Sequence, residues 1–194
     1  MAKPDPAAQK RERQKAIRWV TTIFLVTILI SGTISLLSDI IMSASTMFVA
    51  FLILLTIIFI GIIFDIVGMA VATADEKPFH SMAARKVVGA QESIRLLRNA
   101  ERVSSICNDV VGDICGVVSG SASATIAAQI LSSFDMTWPQ VVSLAMSALA
   151  AGLTVGGKAI GKSFAVNSCT EIVYTVGKMI HMIHHLPDIF RKKK

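Results

Sequence analysis

Residues 47–71, "MFVAFLILLTIIFIGIIFDIVGMAV", form a long apolar stretch whose single charged residue is Asp65. About 20 apolar residues in a helix cross a hydrocarbon core of about 30 Å, so this stretch predicts a transmembrane helix. Residues 19–38, 103–132 and 139–157 are the other segments of sufficient length. The whole chain is 53% hydrophobic and 16% charged, whereas soluble domains carry about 25% charged residues. The sequence therefore predicts an all-α integral membrane protein with four transmembrane helices.

The positions of lysine and arginine predict the orientation of these four spans. The 19 basic residues lie before the first span, between the second and third, and after the fourth. The connections near Asp39 and Asp135 contain none. Because basic connections stay on the cytoplasmic side, we expect a multi-pass protein of the cell membrane with both termini in the cytoplasm. The net charge of +6 is then explained by residues facing anionic lipid, with no need for nucleic acid.

The N-terminal part is expected to remain attached. Residues 1–18 form a basic cytoplasmic segment, and residues 19–42 an additional N-terminal span. A cleaved signal peptide was the alternative, with small residues at 42–45, but signal peptides have an apolar region of about 7–15 residues, shorter than this one. The three cysteines, Cys107, Cys115 and Cys169, lack C-x-x-C spacing and are interpreted as free thiols.

Two segments outside the spans have helical amphipathic patterns. Residues 75–104 predict one or two helices beginning near Pro78, and residues 168–187 predict another that ends at Pro187. Both are expected to lie against the inner membrane surface. Residues 188–194 are a basic tail.

The third span contains polar and small residues together. Asn108, Asp109 and Asp113 occur in the stretch "NDVVGDICG" at 108–116. Gly112, Gly116 and Gly120 recur at every fourth position, a pattern that permits close packing of helices. At 100° per residue, the two acids share one face with Gly116 and Gly120. We therefore expect these acids to point into a helix–helix interface, in a protein that dimerises through small-residue ridges.

The acids of the second and third spans predict a cation site. Asp65 and Asp109 lie at similar depths from the cytoplasmic ends of their helices, so antiparallel packing would bring them level. Asp65, Asn108, Asp109 and Asp113 offer only oxygen ligands, which suit a hard cation such as Mg²⁺. The predicted spans contain no basic residue that could neutralise these acids. The alternative is that the acids are protonated or bound to water and serve helix packing.

Two further patterns suggest other chemistry. "GGKAIGKS", from Gly156 to Ser163, satisfies the P-loop pattern, but the segment before it is a membrane span, and the chain has no room for a nucleotide-binding sheet. Nucleotide binding is therefore not expected, and the protein is not expected to be an enzyme. His181, His184 and His185 have a spacing compatible with a metal site, but the preferred interpretation is histidines flanking an amphipathic helix.

From Phe64 to about Pro187, the sequence resembles the transmembrane domain of the CNNM/CorB/CorC family, which is implicated in magnesium and cobalt transport. The motifs that carry the resemblance are spread along the chain: "FDIVGMAVATA" at 64–74, "AARKVVGAQESIRLLRNAERVSS" at 83–105, "NDVVGD" at 108–113, and "GGKAIGKSFAVNSCTEIVYTVGKMI" from 156 onward. The resemblance implies that residues 47–187 form a cation-transporting transmembrane domain and that Asn108 is a ligand. The resemblance also explains the GKS sequence as part of a family motif, without a P-loop.

This chain departs from the family at several positions. The acidic position of the family falls at Gly68, its two serines fall at Asp65 and Val67, and the proline of its P-K-T motif is Gly161. The chain contains no paired CBS modules, so we expect regulation through them to be absent. We therefore expect a membrane protein that binds or transports a divalent cation, with Mg²⁺ as the ion. The alternative is a non-transporting scaffold, or a partner subunit of a separate transporter or regulator.

Overall fold

A computed structural model describes residues 6–133 and 138–191, with side chains for residues 13–14, 17–133 and 138–184. The described part consists of helices joined by short turns, with no strand. The connection near Asp135 and the last residues of the basic tail lie outside the described residues, as does the side chain of His185.

Four long helices form the bundle. The described helices are α1 (Pro6–Ser43), α2 (Met47–Thr73), α3 (Lys77–Ala84), α4 (Ala90–Arg98), α5 (Ala100–Ser105), α6 (Asp113–Ser133), α7 (Pro139–Asn167) and α8 (Cys169–Arg191), with a π-helical segment at Ile106–Gly112. Ile17–Ser43, Met47–Thr73, Ala100–Ser133 and Pro139–Asn167 are long and apolar enough to cross a membrane. For the described residues, the prediction of an all-helical fold with four such segments is confirmed.

Helix α2 is the centre of the bundle and packs against α6 on one side and α7 on another. Its buried positions recur every three or four residues, the period of one helix face; they are Ala50, Leu54, Ile58, Gly61, Asp65, Gly68, Ala70 and Val71. Asp65 therefore lies on the buried face of the most apolar helix. Its side chain is placed between two apolar clusters of the bundle.

The two clusters lie at opposite ends of α2. The first contains Leu54 and Ile58 packed against Ala122 and Ile126 of α6. The second contains Ala70 and Val71 with Phe79, and also includes residues of α4, α7 and α8. The interval of α2 between Ile58 and Ala70 contains Asp65, the one charged residue of this helix.

The segment after α2 forms three short helices, where one or two were expected. Pro78 lies in the first turn of α3 as predicted, because proline lacks an N–H that the first turn would leave unbonded. Gly89 precedes α4 with φ of +89°, a conformation that favours glycine. The buried face of α4 packs against α8, so these residues are covered by protein.

Helix α8 is longer than expected, since it continues through Pro187 to Arg191. Proline removes one backbone hydrogen bond within a helix. Here only the last turn follows it, so few residues depend on that bond.

Candidate polar centre of the helix bundle

Asp65 is the most buried acid of the described bundle. Its exposed fraction is 3%, and the residues around it on α2 are apolar. A carboxylate in such a place is costly unless it is paired or hydrogen-bonded. The side chains that approach Asp65 therefore define the candidate site.

Two lysines of α7 approach Asp65. Lys158 Nζ lies 3.7 Å from Asp65 Oδ1, and Lys162 Nζ lies 3.7 Å from Asp65 Oδ2. The expectation that no basic residue could neutralise the acids is therefore wrong. The fourth span was predicted to end at residue 157, whereas α7 continues to Asn167. Because α7 packs along α2, this extension brings both ammonium groups to the carboxylate.

Lys158 also joins the third span to this site. Its Nζ lies 3.7 Å from Asp113 Oδ1 and donates a hydrogen bond of 3.2 Å to the carbonyl oxygen of Gly112. Two carboxylates and a carbonyl from different helices thus converge on one ammonium. We call Asp65, Asn108, Asp113, Lys158 and Lys162 the polar centre.

The π-helical segment places Asn108 beside α2. π-Helical turns inside α-helices are frequent at functional sites. Asn108 Nδ2 donates to Ser104 Oγ at 3.2 Å, while its Oδ1 is buried and accepts no hydrogen bond within the described part of the chain. That oxygen lies against Gly68, where a Cβ atom would overlap it. Gly68 is one turn from Asp65 on the same face of α2.

Asp109 does not belong to the polar centre. Its side chain is exposed, and Oδ2 accepts a hydrogen bond of 2.8 Å from Ser105 Oγ. Its predicted proximity to Asp65 assumed an ideal α-helix, but the wider i→i+5 winding of the π-helix changes the direction of side chains before Gly112. Among the described residues, no group of three His, Cys, Asp or Glu side chains could hold a metal ion.

The small-residue ridge of α6 is only partly packed within one chain. Gly112 is buried against Lys158 and Asp65, whereas Gly116 and Gly120 have open space where a Cβ would lie. The Asp113 side chain, on this same side of the helix, is 71% exposed. Within one chain, the helix–helix contact expected for this face is therefore formed at Gly112 and not at Gly116 or Gly120, and its burial in a dimer stays a prediction. The larger side chains Ile114, Val118 and Ile126 form the packed face, because they make more dispersion contacts than glycine.

The P-loop-like pattern lies within helix α7. Its residues have structural contacts there: Gly157 and Gly161 are positions where a Cβ would overlap Ile62 or Ile66 of α2. Lys162, the lysine of the pattern, is paired with Asp65. Close helix packing and ion pairing account for these residues.

A separate side-chain hydrogen bond connects α4 and α8. His181 Nδ1 and Glu92 Oε1 are 2.9 Å apart. The hydrogen bond with His181 lowers the pKa of Glu92 below its ordinary value. Beside this pair, Ser93 Oγ donates to the carbonyl oxygen of Val173 at 3.2 Å. His181 is thus placed in a helix–helix contact, and His184 is an exposed residue of the same helix.

Sequence reasoning missed Lys158 and Lys162 as members of the site. The signal available was their spacing: residues 158 and 162 are four apart, so they share one helix face. This face could have been matched to Asp65 if the helix had been extended beyond residue 157.

Comparisons with protein-family models, with curated proteins and with solved structures gave no match. The resemblance to the CNNM/CorB/CorC family thus stays a prediction.

Proposed function

We propose that this chain is a multi-pass membrane protein that binds and transports a divalent cation, with Mg²⁺ as the ion, at the polar centre. The observation that carries the proposal is the convergence of Asp65 and Asp113 on one ammonium group, Lys158 Nζ. Ionisable residues within membrane-spanning helices mark ion pathways so often that a functional site is the default interpretation.

The oxygen atoms of the centre fit a hard cation. Asp65 and Asp113 provide two carboxylates, and the Oδ1 of Asn108, which accepts no hydrogen bond within the described residues, provides an amide oxygen against Gly68, one turn from Asp65. Mg²⁺ is commonly bound through one or two carboxylates while it keeps several waters. The three residues are therefore a sufficient ligand set, and Asp109 is not needed.

The lysines supply the positive charge of the centre in the described state. With two carboxylates and two ammonium groups, the formal charges of the four side chains cancel. A divalent cation at Asp65 and Asp113 would supply the same two positive charges as Lys158 and Lys162. We therefore expect the Lys158 side chain to move away from the carboxylates when the cation binds, and to return when it leaves.

The setting of this function follows from the charge distribution. We propose a cell-membrane location with both termini in the cytoplasm, which places the polar centre in the cytoplasmic half of the bilayer. The open face of α6 at Gly116 and Gly120 suits a homodimer, because small residues let a second helix approach. The sequence resemblance to the CNNM/CorB/CorC family supports Mg²⁺ as the ion. No enzymatic activity is proposed.

A second candidate function is a membrane scaffold or partner subunit that transports nothing. The ion pairs of Lys158 and Lys162 favour it, because they already neutralise Asp65 and Asp113. In that function the polar centre would specify how α2, α6 and α7 pack.

Magnesium binding to the purified, detergent-solubilised full chain tests the proposal. Calorimetry should show binding that weakens at least tenfold, about 1.4 kcal/mol, in Asp65→Asn and in Asp113→Asn. Asp113 is exposed, so its variant should fold normally. Asp109→Asn is the matched control and should bind as the unmodified chain does, because Asp109 contacts Ser105.

Flux into liposomes separates binding from transport. Vesicles that contain the protein and a magnesium-sensitive dye should show protein-dependent uptake that is lost in Asp65→Asn. If the unmodified chain binds no Mg²⁺ at millimolar concentration, the scaffold function is the better account. Binding without flux would limit the function to cation binding.

A further inference from the structure

We infer that Arg18 and Arg102 bind the phosphate of an anionic phospholipid at the cytoplasmic end of the bundle, beside Trp19. These three residues are here called the arginine site. The inference goes beyond the proposed cation function and uses only the proposed orientation, with both termini in the cytoplasm. Arg18 and Trp19 belong to α1 and Arg102 belongs to α5, so the site joins the first and third candidate spans.

Arg102 lies over the ring of Trp19. Its Cζ is 5.4 Å from the ring centroid, within the distance of about 6 Å at which an aromatic face attracts a cation. Trp19 is 38% exposed and Arg102 is exposed as well, so surrounding lipid can reach both side chains. A guanidinium group presents its N–H donors in a planar fork, the geometry that binds two phosphate oxygens at once.

Both arginines lie at the depth expected for lipid headgroups. Arg18 is the second residue of the candidate span Ile17–Ser43, and Arg102 is the third residue of the candidate span Ala100–Ser133. Tryptophan is enriched at this membrane–water boundary, and Trp19 directly follows Arg18. In the proposed orientation, this end of the spans meets the cytoplasmic leaflet, whose anionic lipids create a negative surface potential.

The protein supplies no acidic partner for either arginine within the described residues. There, every acid that contacts a basic side chain contacts a lysine or a histidine, and none contacts an arginine. Glu101 precedes Arg102, but adjacent residues of a helix do not face each other. A lipid phosphate provides the negative charge and the acceptor oxygens that these arginines lack. Because anionic lipids place their phosphates at this depth, we assign the site to a phospholipid.

A lipid at the arginine site would hold the cytoplasmic end of α1 against the bundle. Among the described side chains of α1, the buried ones are Ser38 and Met42, both near its opposite end. The oxygens of one phosphate can accept hydrogen bonds from two guanidinium groups, so one lipid can bridge α1 and α5. We therefore expect an anionic lipid to strengthen the packing of α1.

Quenching of Trp19 fluorescence by brominated lipids tests this inference. The chain contains two tryptophans. Trp138→Phe, a change at a position that is 70% exposed, leaves Trp19 as the only tryptophan of the full chain. In vesicles free of divalent cations, brominated phosphatidylglycerol should bind beside Trp19 at least about fivefold more tightly than brominated phosphatidylcholine. Arg18→Gln and Arg102→Gln should each reduce this preference, and the double variant should bind the two lipids equally.

Two further variants separate a phosphate site from general attraction to a basic surface. Arg85→Gln is the matched control, because it removes one exposed arginine at the end of α3, and it should keep the full preference. Arg102→Lys keeps the charge and loses the planar fork, so its preference should lie between those of Arg102 and Arg102→Gln.

Three results would overturn the arginine site. The first is equal quenching by the two lipids before either arginine is changed. The second is an equal loss of preference in Arg85→Gln and Arg102→Gln. The third is loss of the preference when inorganic phosphate replaces chloride at equal ionic strength, which would assign the arginines to free phosphate. None of these measurements involves Mg²⁺, so the proposed cation function is judged separately.

Discussion

Asn108 packs against Gly68 of the adjacent helix α2, which has no side chain in its way. The buried Oδ1 of Asn108 therefore lies against a residue that is one helical turn from Asp65. A Cβ at position 68 would overlap both that oxygen and Cys107 Cβ. The contact joins the π-helical segment to α2 and holds the amide beside the polar centre.

Gly68→Ala should destabilise the protein by about 1–3 kcal/mol, because the added methyl group forces Asn108 and the π-helical segment outward. Thermal unfolding in detergent measures the effect. Gly152→Ala is the control, since a Cβ there meets open space on α7, away from the proposed dimer face, and it should be neutral or slightly stabilising. Equal effects of the two substitutions would show that the Gly68 contact is unimportant.

Lys158→Met should cost more stability than Lys162→Met. Lys158 is 18% exposed and bridges two acids, whereas Lys162 is 48% exposed and contacts one. Loss of the partly buried bridge, which leaves Asp113 without its ammonium partner and Asp65 with one partner instead of two, should cost about 3 kcal/mol. Loss of the more exposed pair should cost about 1 kcal/mol or less. Thermal unfolding of the two variants provides the comparison.

A double-mutant cycle identifies the partner of Lys158. Asp65→Asn combined with Lys158→Met should be more stable than the sum of the single changes predicts, because neither charge is then left alone. Simple additivity would mean that the two side chains do not interact.

Lys158→Met should also raise the affinity for Mg²⁺, because it removes the charge that competes for Asp65 and Asp113. Calorimetry should show an increase of about tenfold, or 1.4 kcal/mol, relative to the unmodified chain. Lys178→Met, a change outside the polar centre, should have no effect. A decrease in affinity after Lys158→Met would show that Lys158 supports the cation site.

Packing of α4 against α8 should weaken in acid. The hydrogen bond with His181 lowers the pKa of Glu92 from 4.5, so the carboxylate contributes stability above that ordinary value. This contribution is lost as the pH falls below 4.5 and through the lowered pKa, where Glu92 becomes protonated in the folded protein. The protection of α8 amides against hydrogen exchange, taken relative to the intrinsic exchange rate at each pH, should then fall over this range. In Glu92→Gln, the protection of α8 amides should already be lower near neutral pH, and the further loss of protection in acid should be absent.

The open face of α6 should form the dimer interface. Gly120→Leu should convert a dimer into a monomer without unfolding, because position 120 has open space within one chain. Light scattering coupled to size-exclusion chromatography measures the mass. Gly152→Leu, at another open glycine on α7, is the matched control and should remain dimeric. A dimer that persists in Gly120→Leu would place the interface elsewhere.

The sequence by itself determined the local features of this protein. Length and hydropathy predicted four apolar helices, and Pro78 marked the start of α3, because these features depend on residues close together in the chain. Asp65 and Asn108 could be selected as site residues because polar groups are rare in apolar helices.

Only the tertiary structure decided which polar groups meet. Lys158 reaches Gly112 across 46 residues of sequence, and this contact exists because α7 packs beside α2 and α6. The π-helical segment directs Asp109 to Ser105, and the bulky face of α6 packs while the glycine face stays open. These outcomes depend on the relative rotation and extent of neighbouring helices, which local periodicity does not encode.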